Sequence, residues 1–158
     1  MERARFGILA AAAELVAGGG PRDLTMAAVS RRAAVAKATV YNHFRDRDEL
    51  LLALLAFERD QLLAHCSTAP QSEQLTLAAT WLSESAVVAG LRRHDPGTLL
   101  RLVGAAANDP IANEAVERWC VRAGDPGGDP GDALRWLISF AVAPARSIET
   151  APGQPESP

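Results

Sequence analysis

Along most of this chain apolar residues recur at intervals of three and four rather than two, the spacing that lines one face of a helix. Ile8, Leu9, Ala11, Ala12, Leu15 and Val16 form such a face and predict a helix from Arg3 to Ala17, closed by Gly18, Gly19, Gly20 and Pro21. Thr25 stands where an N-cap is needed for a second helix, Met26 to Ala33, with Met26, Val29 and Ala33 inward. After a change of direction at Val35, a third helix from about Ala36 to Phe44 buries Val40 and Phe44. Asp46 and Glu49 have capping-box spacing and open a longer helix through Leu50, Leu51, Leu54, Leu55, Glu58 and Leu62 toward His65.

Beyond a polar loop at Ser67 to Ser72, the pattern predicts a long helix from about Glu73 to His94, interrupted by Asp95, Pro96 and Gly97. Shorter helices are expected from Thr98 to Ala107 and from Ile111 to Arg122, separated by Asn108, Asp109 and Pro110. Gly124 to Asp132, GDPGGDPGD, reads as a flexible connector. Ala133 to Val142 is apolar on nearly every side and needs cover on both faces, either from its own chain alone or from its own chain and a second subunit. The tail, rich in Pro, Ser and Glu, is expected to be disordered. No alternating strand pattern emerges, so the expected class is all-α.

Composition narrows this picture. With 48% hydrophobic and 22% charged residues the chain reads as globular, and no apolar run approaches the roughly 18 residues of a membrane span. The opening MERARFGILAAAAELVAGGG has the basic-then-apolar order of a leader, but Glu2 and Glu14 interrupt it and its apolar residues follow helical spacing. A mature helix in a cytoplasmic protein is the expectation. Cys66 and Cys120 have no second Cys or His at a zinc-like interval and read as small packing residues, with a thiol switch as the alternative. None of the three His lies near a Ser or Cys in a nucleophile motif, and GDPGGDPGD lacks the Lys-Ser/Thr of a phosphate loop. The reading is therefore not an enzyme, and it invokes no metal or cofactor.

Charge is distributed unevenly. The net value is -3, yet Arg22 to Arg47 holds six basic residues against two acidic, while Cys66 to Pro158 holds seven against eleven. A cationic segment on an anionic body suits one-sided docking on a polyanion. Within that segment the third helix carries Lys37, Thr39, Tyr41, Asn42 and His43 together, small hydrogen-bonding and aromatic groups suited to phosphates and base edges. Lys37 can reach guanine acceptors, Asn42 can pair with adenine, and Ala38 or the Thr39 methyl can touch a thymine methyl. Thr25, at a helix N-terminus, offers a hydroxyl to a phosphate.

These residues resemble the N-terminal domain of TetR/AcrR-type transcriptional repressors. The likeness runs through Leu24, Thr25 and Met26, then Ala33, Ala34 and Val35, then Thr39, Tyr41, His43 and Phe44, then Arg47 and Leu50, and covers roughly Arg3 to Leu55. It implies a three-helix DNA-binding domain with a helix-turn-helix over residues 1–50, joined by a long helix to a short helical ligand-binding and dimerisation domain over 51–148, with 149–158 as tail. It implies a double-stranded DNA operator, a homodimer and release by a small apolar effector. Tyr41 and His43 become phosphate contacts by this resemblance, and Arg47 adds a third. Three positions depart from the family's habit: Ala34 stands for the turn glycine, Ala36 for a capping Ser, and Ser30 for a small apolar residue, where it reads as a tolerated helix-edge position. In the second half Trp81, Trp119, Trp136 and Phe140 are candidates to line an apolar cavity with His94, Arg92 or Arg93 as anchor, although aromatics at helical spacing more often form core. The alternative function is a helical small-molecule- or partner-binding protein that has lost DNA recognition.

Overall fold

A computed structural model describes residues 2–106, 110, 114 and 130–143. Every regular element among them is a helix: α1 (Glu2–Gly19), α2 (Met26–Arg32), α3 (Lys37–His43), α4 (Arg47–Ser67), α5 (Gln71–Glu84), α6 (Ala86–His94), α7 (Pro96–Ala106) and α8 (Pro130–Val142). The helix expected at Ile111 to Arg122 and the tail lie outside the described residues, Glu114 excepted. No described helix is long and apolar enough to cross a membrane.

Two compact units result. The first comprises Met1–Asp60 together with Ala86–Pro96; the second comprises Gln61–Ser85 and the described residues from Gly97 onward.

In the first unit α1 buries Ile8, Leu9, Ala11, Ala12 and Val16, the face its spacing predicts. Leu24, Val29, Val40, Leu50 and Leu54 are fully buried there as well. Burying one such side chain is worth about 1.5 to 3 kcal/mol, so this core is the main source of the unit's stability. α1 runs two residues past the expected Ala17 and ends where Gly20, at φ 75°, reverses the chain and donates its N–H to the Val16 carbonyl. Thr25 caps α2 from extended backbone, its hydroxyl oxygen accepting from the Ala28 N–H at 3.1 Å. At the start of α4, Asp46 Oδ1 accepts from the Glu49 N–H at 2.9 Å. The return bond differs from the expected box: Glu49 Oε2 accepts from the N–H of Arg45, one residue further back, at 2.7 Å.

The single long helix expected from Glu73 to His94 is in fact two. Ser85 takes extended backbone (ψ 120°) while its N–H still reaches the Trp81 carbonyl at 2.8 Å, so α5 stops there and α6 starts afresh. Hydrophobic periodicity gave no sign of this break because helical spacing continues on both sides of it. The tertiary reason is packing: α6 belongs to the first unit, where Val87 and Leu91 are buried and Gly90 lies against α1. A Cβ on Gly90 would overlap the Val16 carbonyl oxygen and crowd Ala17 Cα to 2.7 Å, so the helices meet backbone to backbone. Pro96, expected to interrupt, instead opens α7, where a missing N–H costs nothing. Pro130 similarly opens α8, so the last residues of the expected connector are helical.

The second unit is built on Cys66, Leu75, Ala78, Ala79, Leu137 and Phe140, with Leu62, Leu63, Leu77 and Leu82 against them. α8 is less uniform than its sequence reads: Leu137, Phe140 and Ala141 are buried, while Arg135, Ser139 and Val142 are exposed.

Candidate nucleic-acid interface

α3 is short, and its two sides differ in kind. Val40 and Phe44, four residues apart, are buried and fix the helix to the first unit. On the other side Lys37, Ala38, Tyr41 and Asn42 are exposed, and Thr39 and His43 are half-buried at its margins. Tyr41, 48% exposed, is one of the few large apolar surfaces the core leaves uncovered. Lys37 Nζ lies 5.8 Å from the centre of its ring, a cation held over an aromatic face one helical turn away.

The turn leading into α3 has the geometry of a helix stop built for glycine. The N–H of Ala34 bonds the Arg31 carbonyl at 3.3 Å and the N–H of Val35 bonds the Ser30 carbonyl at 3.1 Å, the paired pattern of a Schellman motif. Such a motif places its C′ residue in the left-handed region, and Ala34 sits there at φ 53°. For a residue with a Cβ this costs about 1 to 2 kcal/mol. α3 also begins without a side-chain cap, because Ala36 has no oxygen to offer.

Around α3 the predicted contact residues fall as follows. Thr25 is exposed at the start of α2; its oxygen serves the Ala28 N–H, which leaves the hydroxyl proton free to donate. Arg47 is partly engaged: Nη2 and Nε donate to the Pro21 carbonyl at 2.8 and 3.2 Å, tying the α4 start to the turn after α1. Asp46 beside it is held below the ordinary carboxylate range, chiefly by the hydrogen bond from the Glu49 N–H and further by the Arg45 side chain.

Residues absent from the expected set adjoin it. The Arg5 guanidinium lies 5.5 Å from the centre of the Phe44 ring, and Phe44 neighbours the His43 ring at 6.3 Å. Arg5 is thus a cation parked at the C-terminal end of α3, yet it comes from α1, and nothing in linear spacing links it to that end. Ser30 does more than occupy a tolerated helix edge: its hydroxyl donates to the Val35 carbonyl at 3.0 Å, across the turn. Arg32 pairs with Glu14 and joins α2 to α1.

The second set of candidates is divided between the two units. Phe140 is part of the second unit's packed core, and Trp81 is half-buried on α5. His94 ends α6 in the first unit, its Cβ packed over Gly20, where a side chain would collide with it. Arg93 beside it donates to the Ala89 and Ala17 carbonyls at 3.2 and 3.4 Å. Trp136 lies on α8, and Trp119 falls outside the described residues.

A capped helix, a Schellman turn and a second helix held by two apolar residues with a polar, cationic outer side form a helix-turn-helix, an arrangement with which proteins meet DNA. Residues 8–54 match the family model described as "Bacterial regulatory proteins, tetR family". The likeness to that family is therefore confined to the N-terminal segment, within the first unit. No curated protein and no solved structure matches it.

Proposed function

We propose that the protein is a homodimeric repressor that binds a near-palindromic operator and lets go of it when a small, largely apolar molecule occupies the second unit. The observation that carries the DNA-reading half is the outer side of α3, where Lys37, Ala38, Tyr41 and Asn42 stand exposed over the buried Val40 and Phe44. Tyr41, His43, Thr25 and the remaining N–H groups of Arg47 hold phosphates and set register; Lys37, Ala38, Thr39 and Asn42 read base edges. Two α3 helices in a dimer would enter successive major grooves about 34 to 36 Å apart, or a multiple of that. Such a protein works in the cytoplasm, where its operator is.

Release needs only a ligand that favours a different spacing of the two α3 helices. α6 offers a mechanical route. It packs on α1 at Gly90 without the room for one methyl group, while α5 and most of α7, its neighbours along the chain, belong to the second unit. A shift imposed on those neighbours pulls on a helix that cannot slip against α1.

The competing reading, a helical ligand-binding protein without DNA recognition, draws on Ala34 in a glycine conformation and on the uncapped start of α3. Salt decides between them. Titrating the full-length chain into a pool of random duplexes is expected to show a dimer by light scattering and an affinity that falls about a thousandfold or more between 50 and 200 mM salt. Salt-independent or absent binding would leave the second reading standing.

A further inference from the structure

We propose that Ser30 is a positioning residue for DNA reading, the hydroxyl that makes an alanine usable at the left-handed position of the helix-turn-helix. The inference rests on the DNA-reading function proposed above. Ser30 is the residue whose carbonyl receives the Val35 N–H, and its hydroxyl then donates to the Val35 carbonyl at 3.0 Å. Both polar groups of the Val35 backbone are therefore tied to one residue of α2. Immediately before Val35 stands Ala34 at φ 53°, the only non-glycine residue with positive φ among those described.

The consequence reaches α3 directly. The Val35 carbonyl belongs to the peptide plane that leads into Ala36, the uncapped first flank of α3. Fixing that plane fixes the direction in which α3 leaves the turn, and with it the aim of Lys37, Thr39 and Asn42. A serine within a helix ordinarily turns its hydroxyl to a carbonyl of its own preceding turn. Here it is spent across the turn instead, at a half-buried position where the bond is not exchanged freely with water. Ser30 and Ala34 thus form a matched pair: with glycine at 34 the left-handed backbone is free of cost, and the extra bond would have little to do.

This dependence predicts epistasis. A preferred duplex is first selected from a random pool with the wild-type protein, and the ratio of its affinity to that of unselected duplex is measured well below the melting temperature. Ser30→Ala is expected to lower that ratio about fivefold, the factor a single hydrogen bond commonly controls. Ala34→Gly alone is expected to leave it within about twofold of wild type, and adding Ala34→Gly to Ser30→Ala to restore it, the new glycine relieving the turn. A purely stabilising serine would move the melting temperature and leave the ratio alone. An unchanged ratio in Ser30→Ala, or no restoration in the double variant, overturns the inference while the DNA-reading function survives. Failure of the wild type to enrich any duplex overturns both. Should Ser30→Ala not fold, Ser30→Thr and Ser30→Val make the same comparison with and without the hydroxyl; equal ratios for the two would refute the proposal.

Discussion

On α3, side chains of similar exposure divide by what they can touch. Tyr41 can lose its ring without removing a base-edge group, so Tyr41→Ala is expected to weaken binding to all duplexes alike. Asn42 carries the paired donor and acceptor that match adenine, so Asn42→Ala is expected to relax preference at one base pair, by about 1 to 3 kcal/mol. Affinities across a panel of single-base operator variants check this; identical profiles for both variants would refute the division. Arg5 extends the argument to a side chain that only the fold brings near, 5.5 Å from the Phe44 ring. If its guanidinium meets a phosphate, Arg5→Ala reduces the slope of log affinity against log salt by about 0.9 per protomer. A loss of affinity with an unchanged slope would assign Arg5 to packing. The residue types at the candidate interface were legible because their chemistry is local to α3 and to the starts of α2 and α4. Arg5 and the Ser30 bond were not, since each depends on where another element's backbone comes to lie.

At the scale of elements, the four N-terminal helices around α3 were the best foreseen. α1, α2, α3 and α4 each carry their own apolar stripe, and α1, α2 and α4 their own start or stop signal, so their existence follows from local physics. What the pattern missed was the break at Ser85 and the return of α6 to the first unit. Gly90 exposes the reason, since a glycine inside a helix is read as a weakness until the backbone of α1 is seen lying on it. Gly90→Ala sets two effects against each other. Helix propensity favours alanine by about 1 kcal/mol, but overlap with the Val16 carbonyl cannot be relieved by rotating a side chain, and overpacking costs about 1 to 3 kcal/mol. The clash wins, because it is with backbone. Urea unfolding is expected to show Gly90→Ala destabilised, whereas Gly7→Ala on α1, where a Cβ would meet nothing within 4 Å, gains stability. Equal shifts of the same sign in both variants would mean that α6 is not held as described.

For the whole molecule, the second unit matters through a buried thiol. Cys66 is fully buried in that core, and burial pushes its thiol from about 9.0 up to about 11. A thiolate, not a thiol, attacks an alkylating agent. Cys66 in the folded protein is therefore expected to resist iodoacetamide at pH 8 and to react once urea is added, followed on its own peptide by mass spectrometry. Rapid modification of the native protein would revive the thiol-switch alternative at this residue. The sign of the linkage follows: because folding raises this pKa, the contribution is complete below pH 9 and is lost as pH rises through 9 toward 11. Asp46 acts oppositely. Its pKa is lowered on folding, so its capping contribution is present at neutral pH and lost as acid protonates it.

By itself the sequence determined the all-helical class, the four N-terminal helices with the caps of α2 and α4, and the tetR-type set of side chains on α3, because helical periodicity, capping and turn chemistry act within a few residues of one another. Only the tertiary structure decided that α6 joins the first unit, that Phe140 is core, that Arg47 is tied to Pro21, and that a serine secures the strained alanine of the turn. Those outcomes depend on which backbones come within bonding or packing distance after the chain has folded back on itself, and no local pattern carries that distance.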